Sequence, residues 1–349
     1  MKKTFNYRRK IFLIFFLSII WSTFIFCQQI PYYAVFRENW LLLNPAVLNH
    51  SHLADKNKTL MLNFSHRQQW LGFEGGPKQS NSRLENLVFG KYKNMNNIPK
   101  FKWGLGFENE KLGAFSSSGI FVNYAYILNL NPNTIVSAGI NVSLGNSNYR
   151  LNSSTFLDWQ NDIPSQLLQN NSEWFGKVDF GLFIKQKLLK NNERINQWYA
   201  GASIVQLSSF ELFKSNGTLN TFRKPHFNFL AGIMIGNSTY KNGFGNYWEP
   251  SIWIRYLPKS DLNFGNIKLP VSTDFSLRYF YMNKIWGGAG IGTSGNLMME
   301  TGYVFQNAKK NKNYLSPNIK SGIICNIPML MTTFGFSIEI FTGINLVSY

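Results

Sequence analysis

Residues Lys177–Lys187 read K-V-D-F-G-L-F-I-K-Q-K, and this stretch decides the fold. Large apolar residues occupy every second position, namely Val178, Phe180, Leu182 and Ile184. The positions between them are mostly charged or small, namely Lys177, Asp179, Gly181, Lys185 and Lys187. An alternation with a period of two predicts a β-strand with one apolar face. A helix would not separate these residues into two faces.

The same unit recurs along most of the chain: about ten alternating residues and then a cluster of Gly, Asn, Pro or Ser. Gly119–Leu130 and Asp274–Tyr281 are further clear examples. We count about fourteen such segments, within a range of 12–16: near 58–66, 79–89, 101–109, 117–129, 134–145, 174–187, 197–206, 225–235, 247–257, 270–281, 285–292, 296–306, 316–326 and 332–346. An even number is what an antiparallel barrel needs when both chain ends lie in the periplasm.

The alternative fold is a soluble β-sandwich, in which the apolar face would point into a core. Many of these segments have ten or more residues, whereas strands of soluble proteins average five or six. Their second face carries Gly, Ser, Asn and Lys rather than another apolar row. The sequence therefore predicts an all-β, transmembrane antiparallel β-barrel of the outer membrane with an N-terminal leader or plug segment.

Composition agrees with this prediction and narrows the range of expected binding partners. Aromatic residues make up 16% of the chain, which suits a wall that meets lipid and two membrane interfaces. The net charge is +18, but the Lys and Arg residues are scattered and no recognition helix accompanies them, so nucleic acid is not an expected partner. Outer-membrane lipid, lipopolysaccharide phosphates and acidic protein surfaces are the expected partners.

The N-terminus predicts export through the Sec pathway. Five cations up to Lys10 precede an apolar run from Ile11 to Ile20, so residues 1–27 are predicted to be a signal peptide with cleavage between Cys27 and Gln28. A transmembrane anchor and a lipoprotein acylated on Cys27 are the alternatives. We then expect a periplasmic leader or plug over 28–57 and the barrel over 58–349. Without Cys27, Cys325 is the only thiol, so no intramolecular disulfide is expected.

Residues that could carry catalysis are sparse, so we expect no enzyme, no catalytic residues, no metal and no cofactor. His50 and His52 form a pair without further ligands, and His66 and His226 are expected at strand ends. Glu108 and Glu110 share one face of a strand, and an ion pair with the adjacent Lys111 is the expected explanation.

The block Arg67–Lys78, R-Q-Q-W-L-G-F-E-G-G-P-K, is the most distinctive local feature. It falls in a connection expected outside the cell, yet it contains large apolar residues and a Gly-Gly-Pro turn, which predicts an ordered loop. Two interpretations are open. The block folds into the lumen as a plug or anchors the barrel in the aromatic girdle at the membrane interface, or it forms a contact surface for a partner. The partner-binding hypothesis names Arg67, Gln69, Trp70, Phe73, Glu74, Gly75, Gly76, Pro77 and Lys78, with Trp159 from the long external connection Asn146–Glu173.

The periplasmic connections should be short. Three of them, Gly90–Lys100, Gly236–Asn246 and Asn307–Leu315, have around ten residues. They are either frayed strands or contacts for a periplasmic partner.

Four motifs in the first third of the chain resemble those of the PorP/SprF family of outer-membrane proteins associated with type IX secretion. They are Q-Q-I-P at Gln28–Pro31, N-P-A at Asn44–Ala46, the block Arg67–Lys78 and N-E-K-L-G at Asn109–Gly113. Further on, Tyr199–Ser203 resembles a mid-barrel strand of the family. The sequence departs from the family pattern at two places. One is Leu41–Leu43, the residues directly before N-P-A, and the other is Gly76, which stands where Ala is common in the family.

This resemblance implies membership in the secretion and gliding apparatus of Bacteroidota. The chain would help export, or hold at the cell surface, a large adhesin with a C-terminal secretion signal, and would contact components of the machine in the periplasm and the outer membrane. The alternative function is an outer-membrane channel for small or hydrophobic solutes.

Overall fold

The computed structural model describes residues 37–48, 58–72, 75–92, 95–113, 115–131, 133–149, 172–190, 194–213, 225–237, 246–256, 271–282, 284–293, 296–306, 317–328 and 336–347. Apart from one short helix, α1 (Trp40–Leu43), the elements are strands. They are β1 (Lys58–Gln68), β2 (Lys78–Tyr92), β3 (Met95–Leu112), β4 (Phe115–Asn131), β5 (Thr134–Tyr149), β6 (Ser172–Lys190), β7 (Arg194–Phe213), β8 (His226–Asn237), β9 (Tyr247–Tyr256), β10 (Val271–Tyr281), β11 (Ile285–Gly292), β12 (Asn296–Gln306), β13 (Pro317–Pro328) and β14 (Ser337–Val347).

The strands form a closed antiparallel barrel in which each strand pairs with its sequence neighbours and β1 pairs with β14. The closing register places Leu62 opposite Ile344. The predicted fold class is confirmed, and the strand number is fourteen. We call the end at which β1 begins and β14 ends the terminal end, and the opposite end the loop end.

Side chains alternate between the two sides of the wall. In β4, Val122, Tyr124 and Tyr126 point outward and are exposed, while Asn123 and Ala125 point inward and are buried. Exposed apolar side chains of this kind recur around the barrel, as expected for a surface that faces lipid. Among the described residues no helix has the length and apolarity to cross a bilayer.

The stretch Lys177–Lys187 follows the predicted alternation, because Phe180 and Leu182 are exposed outside while Asp179 and Gly181 are buried inside. Phe183 is apolar yet also lies inside, where its ring is 6.5 Å from that of Trp40. The interior is therefore partly apolar, which strand alternation alone does not predict.

For one of the three long connections expected in the periplasm, Gly90–Lys100, the structure agrees with the frayed-strand alternative. Most of Gly90–Lys100 is strand, since β2 continues to Tyr92 and β3 begins at Met95, so only residues 93–94 connect them. The connections 238–246 and 307–316 remain between strands, close to their expected positions.

The rim at the loop end is uneven. β3 to β7 are longer than the strands from β8 to β14. β8 pairs with β7 only over Arg194–Val205, so residues 206–213 of β7 have a neighbour in β6 and no described strand on the other side. A strand residue rises about 2.5 Å along the axis at the usual tilt, so this part of the wall stands on the order of 20 Å above the start of β8.

Candidate functional site: the filled lumen

Residues 37–48, which we call the lumen segment, lie inside the barrel. All of them except Glu38 and Leu42 are buried. α1 supplies Trp40, Leu41 and Leu43, which are at most 5% exposed. The helix ends where the backbone N–H of Asn44 donates to the carbonyl of Trp40, at 2.8 Å. This segment therefore occupies the space that a pore would need.

The backbone after α1 is bonded to polar side chains of the wall. The carbonyl of Leu43 accepts from Ser203 at 2.5 Å, that of Pro45 from Asn123 at 3.0 Å and that of Ala46 from Ser137 at 2.6 Å. Lys102 donates to the carbonyl of Val47. Each inward polar side chain thus satisfies a backbone group that would otherwise be buried without a partner.

Asn44 makes the reciprocal contacts. Its side-chain nitrogen donates to the carbonyls of Leu182 on β6, at 3.0 Å, and Ala202 on β7, at 3.2 Å. Its side-chain oxygen accepts from the N–H of Ala46 at 2.9 Å, which fixes the turn. The N-P-A motif is therefore the contact between the lumen segment and the wall.

Glycines in the wall make room for this motif. A Cβ atom at Gly139 would lie 2.6 Å from the backbone carbonyl of Pro45, and one at Gly181 would overlap the Asn44 side chain. Only glycine lets the two backbones approach so closely.

A cluster of six charged residues holds the first part of the lumen segment. It consists of three cations and three anions: Arg37, Arg278, Lys320, Glu38, Glu249 and Glu300. Arg278 is central, since its Nη2 lies 2.5 Å from Glu300 Oε2 and its Nη1 lies 2.9 Å from Glu38 Oε1. Lys320 Nζ lies 2.5 Å from the same Glu38 oxygen. Because the charges balance, the cluster avoids the large cost of a lone buried ion.

Arg37 also contacts hydroxyl groups of two neighbouring strands. Its guanidinium donates to Ser251 of β9 at 2.6 Å and to Ser276 of β10 at 2.5 Å. The hydroxyl of Tyr199 donates to Glu249 at 2.9 Å. The cluster therefore links the segment to β7, β9, β10, β12 and β13.

A second polar cluster surrounds Asn39 on the adjoining part of the wall, from β14 to β3. The Asn39 side chain donates to Glu339 at 2.8 Å and accepts from Arg83 at 3.1 Å. Arg83 also contacts Glu85 at 3.1 Å, and Lys102 lies 3.9 Å from the other oxygen of that carboxylate. Two cations again face two anions.

An apolar layer packs around the segment. The ring of Trp40 lies 5.0 Å from that of Tyr199. Beside it, Tyr247, Phe280, Trp286 and Phe341 form a chain of ring contacts whose centroids are 4.4, 5.7 and 6.0 Å apart. These rings and most apolar side chains of the lumen segment belong to one buried cluster inside the barrel.

The described residues of the block Arg67–Lys78, namely 67–72 and 75–78, lie at the loop end of β1 and β2. The N–H of Gln69 donates to the carbonyl of Pro77 at 2.8 Å. Trp70 has φ 53° and Gly75 has φ 79°, both in the left-handed region. Arg67, Gly76 and Pro77 are buried, and Gly75 and Lys78 are exposed.

Of the other predicted site residues, Phe73, Glu74, Trp159, Cys27 and Gln28 lie outside the described residues. The turn and the lumen segment are separate features, and the partner-binding role of the turn stays a prediction.

The prediction that Glu108 and Glu110 form an ion pair with Lys111 is wrong. Glu108 pairs with Lys177 at 2.5 Å, and Glu110 accepts from Gln79 at 3.2 Å, all on the inward side. Lys111 is exposed on the outward side because it follows Glu110 by one position in a strand. Among the described residues no group of three or more His, Cys, Asp or Glu could hold a metal ion.

Sequence reasoning did not find the residues that hold the lumen segment. Arg278, Glu249 and Glu300 are charged residues at the inward positions of otherwise apolar strands. That pattern was the sequence feature that could have indicated their role. Their partners Arg37 and Glu38 are more than 200 residues away, so no local pattern connects them.

Comparison with known proteins gives a family match. The model of a family described as type IX secretion system membrane protein PorP/SprF matches residues 25–309. No curated protein sequence matches the chain.

Among solved structures, the toluene transporter TodX of Pseudomonas putida has a TM-score of 0.49 at 11% identity, over 91% of this chain and 99% of that one. The toluene transporter TbuX of Ralstonia pickettii has a TM-score of 0.49 at 10% identity, over 88% and 92%. The transport unit of the autotransporter AIDA-I from Escherichia coli has a TM-score of 0.45 at 10% identity, over 92% and 100%.

Proposed function

Because this chain belongs to the PorP/SprF family of type IX secretion system membrane proteins, we propose that it helps export or anchor a large cell-surface protein with a C-terminal secretion signal. It is an outer-membrane protein of the secretion apparatus, and its proposed mechanism is binding rather than catalysis or conduction. Its proposed partners are the exported surface protein and components of the machine in the periplasm and the outer membrane.

The filled lumen is the observation that carries this proposal. The lumen segment contacts most strands of the wall through carbonyls, balanced charges and rings, so the barrel interior serves as a rigid core. We propose that residues 37–48 are the plug of a barrel whose working surfaces are its ends. The turn at Arg67–Lys78 and the connection that contains Trp159 are the proposed contacts for the exported protein.

The direct test is a deletion strain together with affinity isolation of the tagged chain from native membranes. We expect loss of surface display of one large exported protein, recovery of that protein with the tagged chain, and unchanged uptake of small solutes. Display that is unchanged in the deletion strain would refute the proposal.

A matched pair of variants tests the turn. Trp70→Ala removes a large side chain from it, whereas Trp103→Ala removes one from the lipid-facing side of β3. We expect only the first to reduce recovery of the exported protein. Equal recovery with both variants would exclude Trp70 from the contact.

The channel alternative makes the opposite prediction for purified protein. A filled lumen should give no steady conductance in planar bilayers, whereas a channel should give large and stable openings. Such openings in the unmodified chain would favour solute transport.

A further inference from the structure

The outward face of β1 to β5 changes character row by row as it approaches the loop end. The register first aligns a mostly apolar row, Phe64, Ser82, Phe107, Ile120 and Leu144. Two positions nearer the loop end is a polar row, His66, Ser80, Asn109, Ser118 and Asn146. Two positions further is the row Gln68, Lys78, Lys111, Ser116 and Asn148.

This sequence of rows marks the edge of the hydrocarbon region. Phe64, Phe107 and Ile120 are 47%, 43% and 54% exposed, as expected for side chains that face lipid. In the polar row, His66 Nδ1 lies 2.8 Å from Ser80 Oγ, and Ser118 donates to Asn109 at 3.4 Å. Within each strand the third row is four residues from the apolar row, or about 10 Å along the barrel axis at about 2.5 Å per residue, which corresponds to the depth of lipid headgroups.

Lys78 and Lys111 are directly opposite each other in the third row, and both are exposed. The Cβ atoms of opposed residues on neighbouring strands are about 5 Å apart, and like charges at such positions destabilise a sheet. The nearby carboxylates do not relieve this repulsion, because Glu108 and Glu110 bind Lys177 and Gln79 on the inward side. Among the described residues no carboxylate pairs with either lysine.

We propose that Lys78 and Lys111 form a binding site for the phosphate groups of an outer-leaflet phosphoglycolipid of the lipid A type. The lysines neutralise the phosphates, the Ser and Asn side chains of the polar row contact the sugars, and the acyl chains lie along the apolar row. The site requires that the loop end faces outward, and it does not depend on the identity of any exported protein.

The test uses the full purified chain in detergent, with diphosphorylated lipid A as the probe. Native mass spectrometry measures the bound lipid and thermal unfolding measures its effect on stability. The variant is K78Q/K111Q, and the control is K284Q, an exposed lysine at the terminal end. We expect lipid A to bind and stabilise the unmodified chain and K284Q, with binding about tenfold weaker or worse in K78Q/K111Q.

The variant also makes a prediction without lipid. Since it removes the repulsion, K78Q/K111Q should unfold at or above the temperature of the unmodified chain, and lipid A should reverse that order. A variant that is less stable without lipid would contradict the repulsion argument. Lipid A binding that is equal in the unmodified chain and K78Q/K111Q would overturn the site.

Two competitors identify the source of the phosphate. Inorganic phosphate at the same concentration should not displace lipid A, since it lacks sugars and acyl chains. Phosphatidylglycerol should bind more weakly, since it offers one phosphate and no sugar. Displacement by phosphate would assign a free-anion site, and equal binding of phosphatidylglycerol would assign a generic anionic surface; either result would refute the proposal.

Discussion

Replacement of Arg278 by methionine tests whether balanced charges hold the lumen segment. Arg278 is 0% exposed, and its guanidinium makes bonds of 2.7 and 2.5 Å to Glu300 and 2.9 Å to Glu38. Its removal leaves three carboxylates facing two cations. Breaking a buried ion pair on one side costs about 3–5 kcal/mol, because a charge remains without compensation.

The double variant R278M/E300M separates pairing from packing. It removes one charge of each sign, so the cluster is balanced again, and we expect recovery of about half or more of the loss. The control is K284M, which removes an exposed cation near the same strand and should change stability by less than about 0.5 kcal/mol.

Urea-induced unfolding of the chain in detergent, followed by tryptophan fluorescence, measures these three variants and the single variant E300M. The interpretation is refuted if R278M costs less than about 1 kcal/mol, the range of an exposed pair. A double variant that is as unstable as the sum of the single ones would also refute it, since the two residues would then act independently.

Three further predictions follow from the same geometry. Gly139→Val should destabilise the barrel by about 1–3 kcal/mol, because the new side chain would overlap the backbone of Pro45. Gly287→Val should be tolerated, because a Cβ atom there would meet only the carbonyl of Glu300, at 3.9 Å. Thermal unfolding compares the two variants, and equal effects would contradict the packing described for the N-P-A motif. Amide hydrogens of residues 206–213 of β7 should exchange faster than those of residues 194–205, because residues 206–213 are paired with a described strand on one edge only. Hydrogen-exchange mass spectrometry of the isolated chain measures both rates. Equally slow exchange would show that another part of the chain covers the second edge. Asn44→Leu should lower stability by about 1–3 kcal/mol through loss of its contacts with β6 and β7, and a neutral result would show that the segment does not depend on them.

The barrel was predictable because the alternation of side chains that specifies each strand can be read within about ten neighbouring residues. In Lys177–Lys187 the alternation alone assigns Phe180 and Leu182 to lipid and Asp179 to the interior, and the structure agrees. The boundary between β2 and β3 was less predictable, because Asn96, Asn97 and Pro99 are residue types typical of turns although they belong to β3, so strand residues were included in a connection.

The lumen segment was less predictable still. In sequence, Trp40–Leu43 is an apolar stretch that suits a periplasmic leader or a plug equally. The choice is decided by wall residues such as Ser203, Asn123 and Arg278, which are far away in the sequence and each commonplace alone. Fourteen strands must close before those side chains converge, so the interior is a property of the whole ring.

The position of the lumen segment at the start of the barrel sequence constrains how the molecule is assembled. It precedes β1 in the chain, yet it is bonded to strands as late as β13 and β14, the two strands nearest the closing seam. The segment is therefore synthesised before every strand that encloses it, and its full set of contacts is complete only after the last two strands have been made.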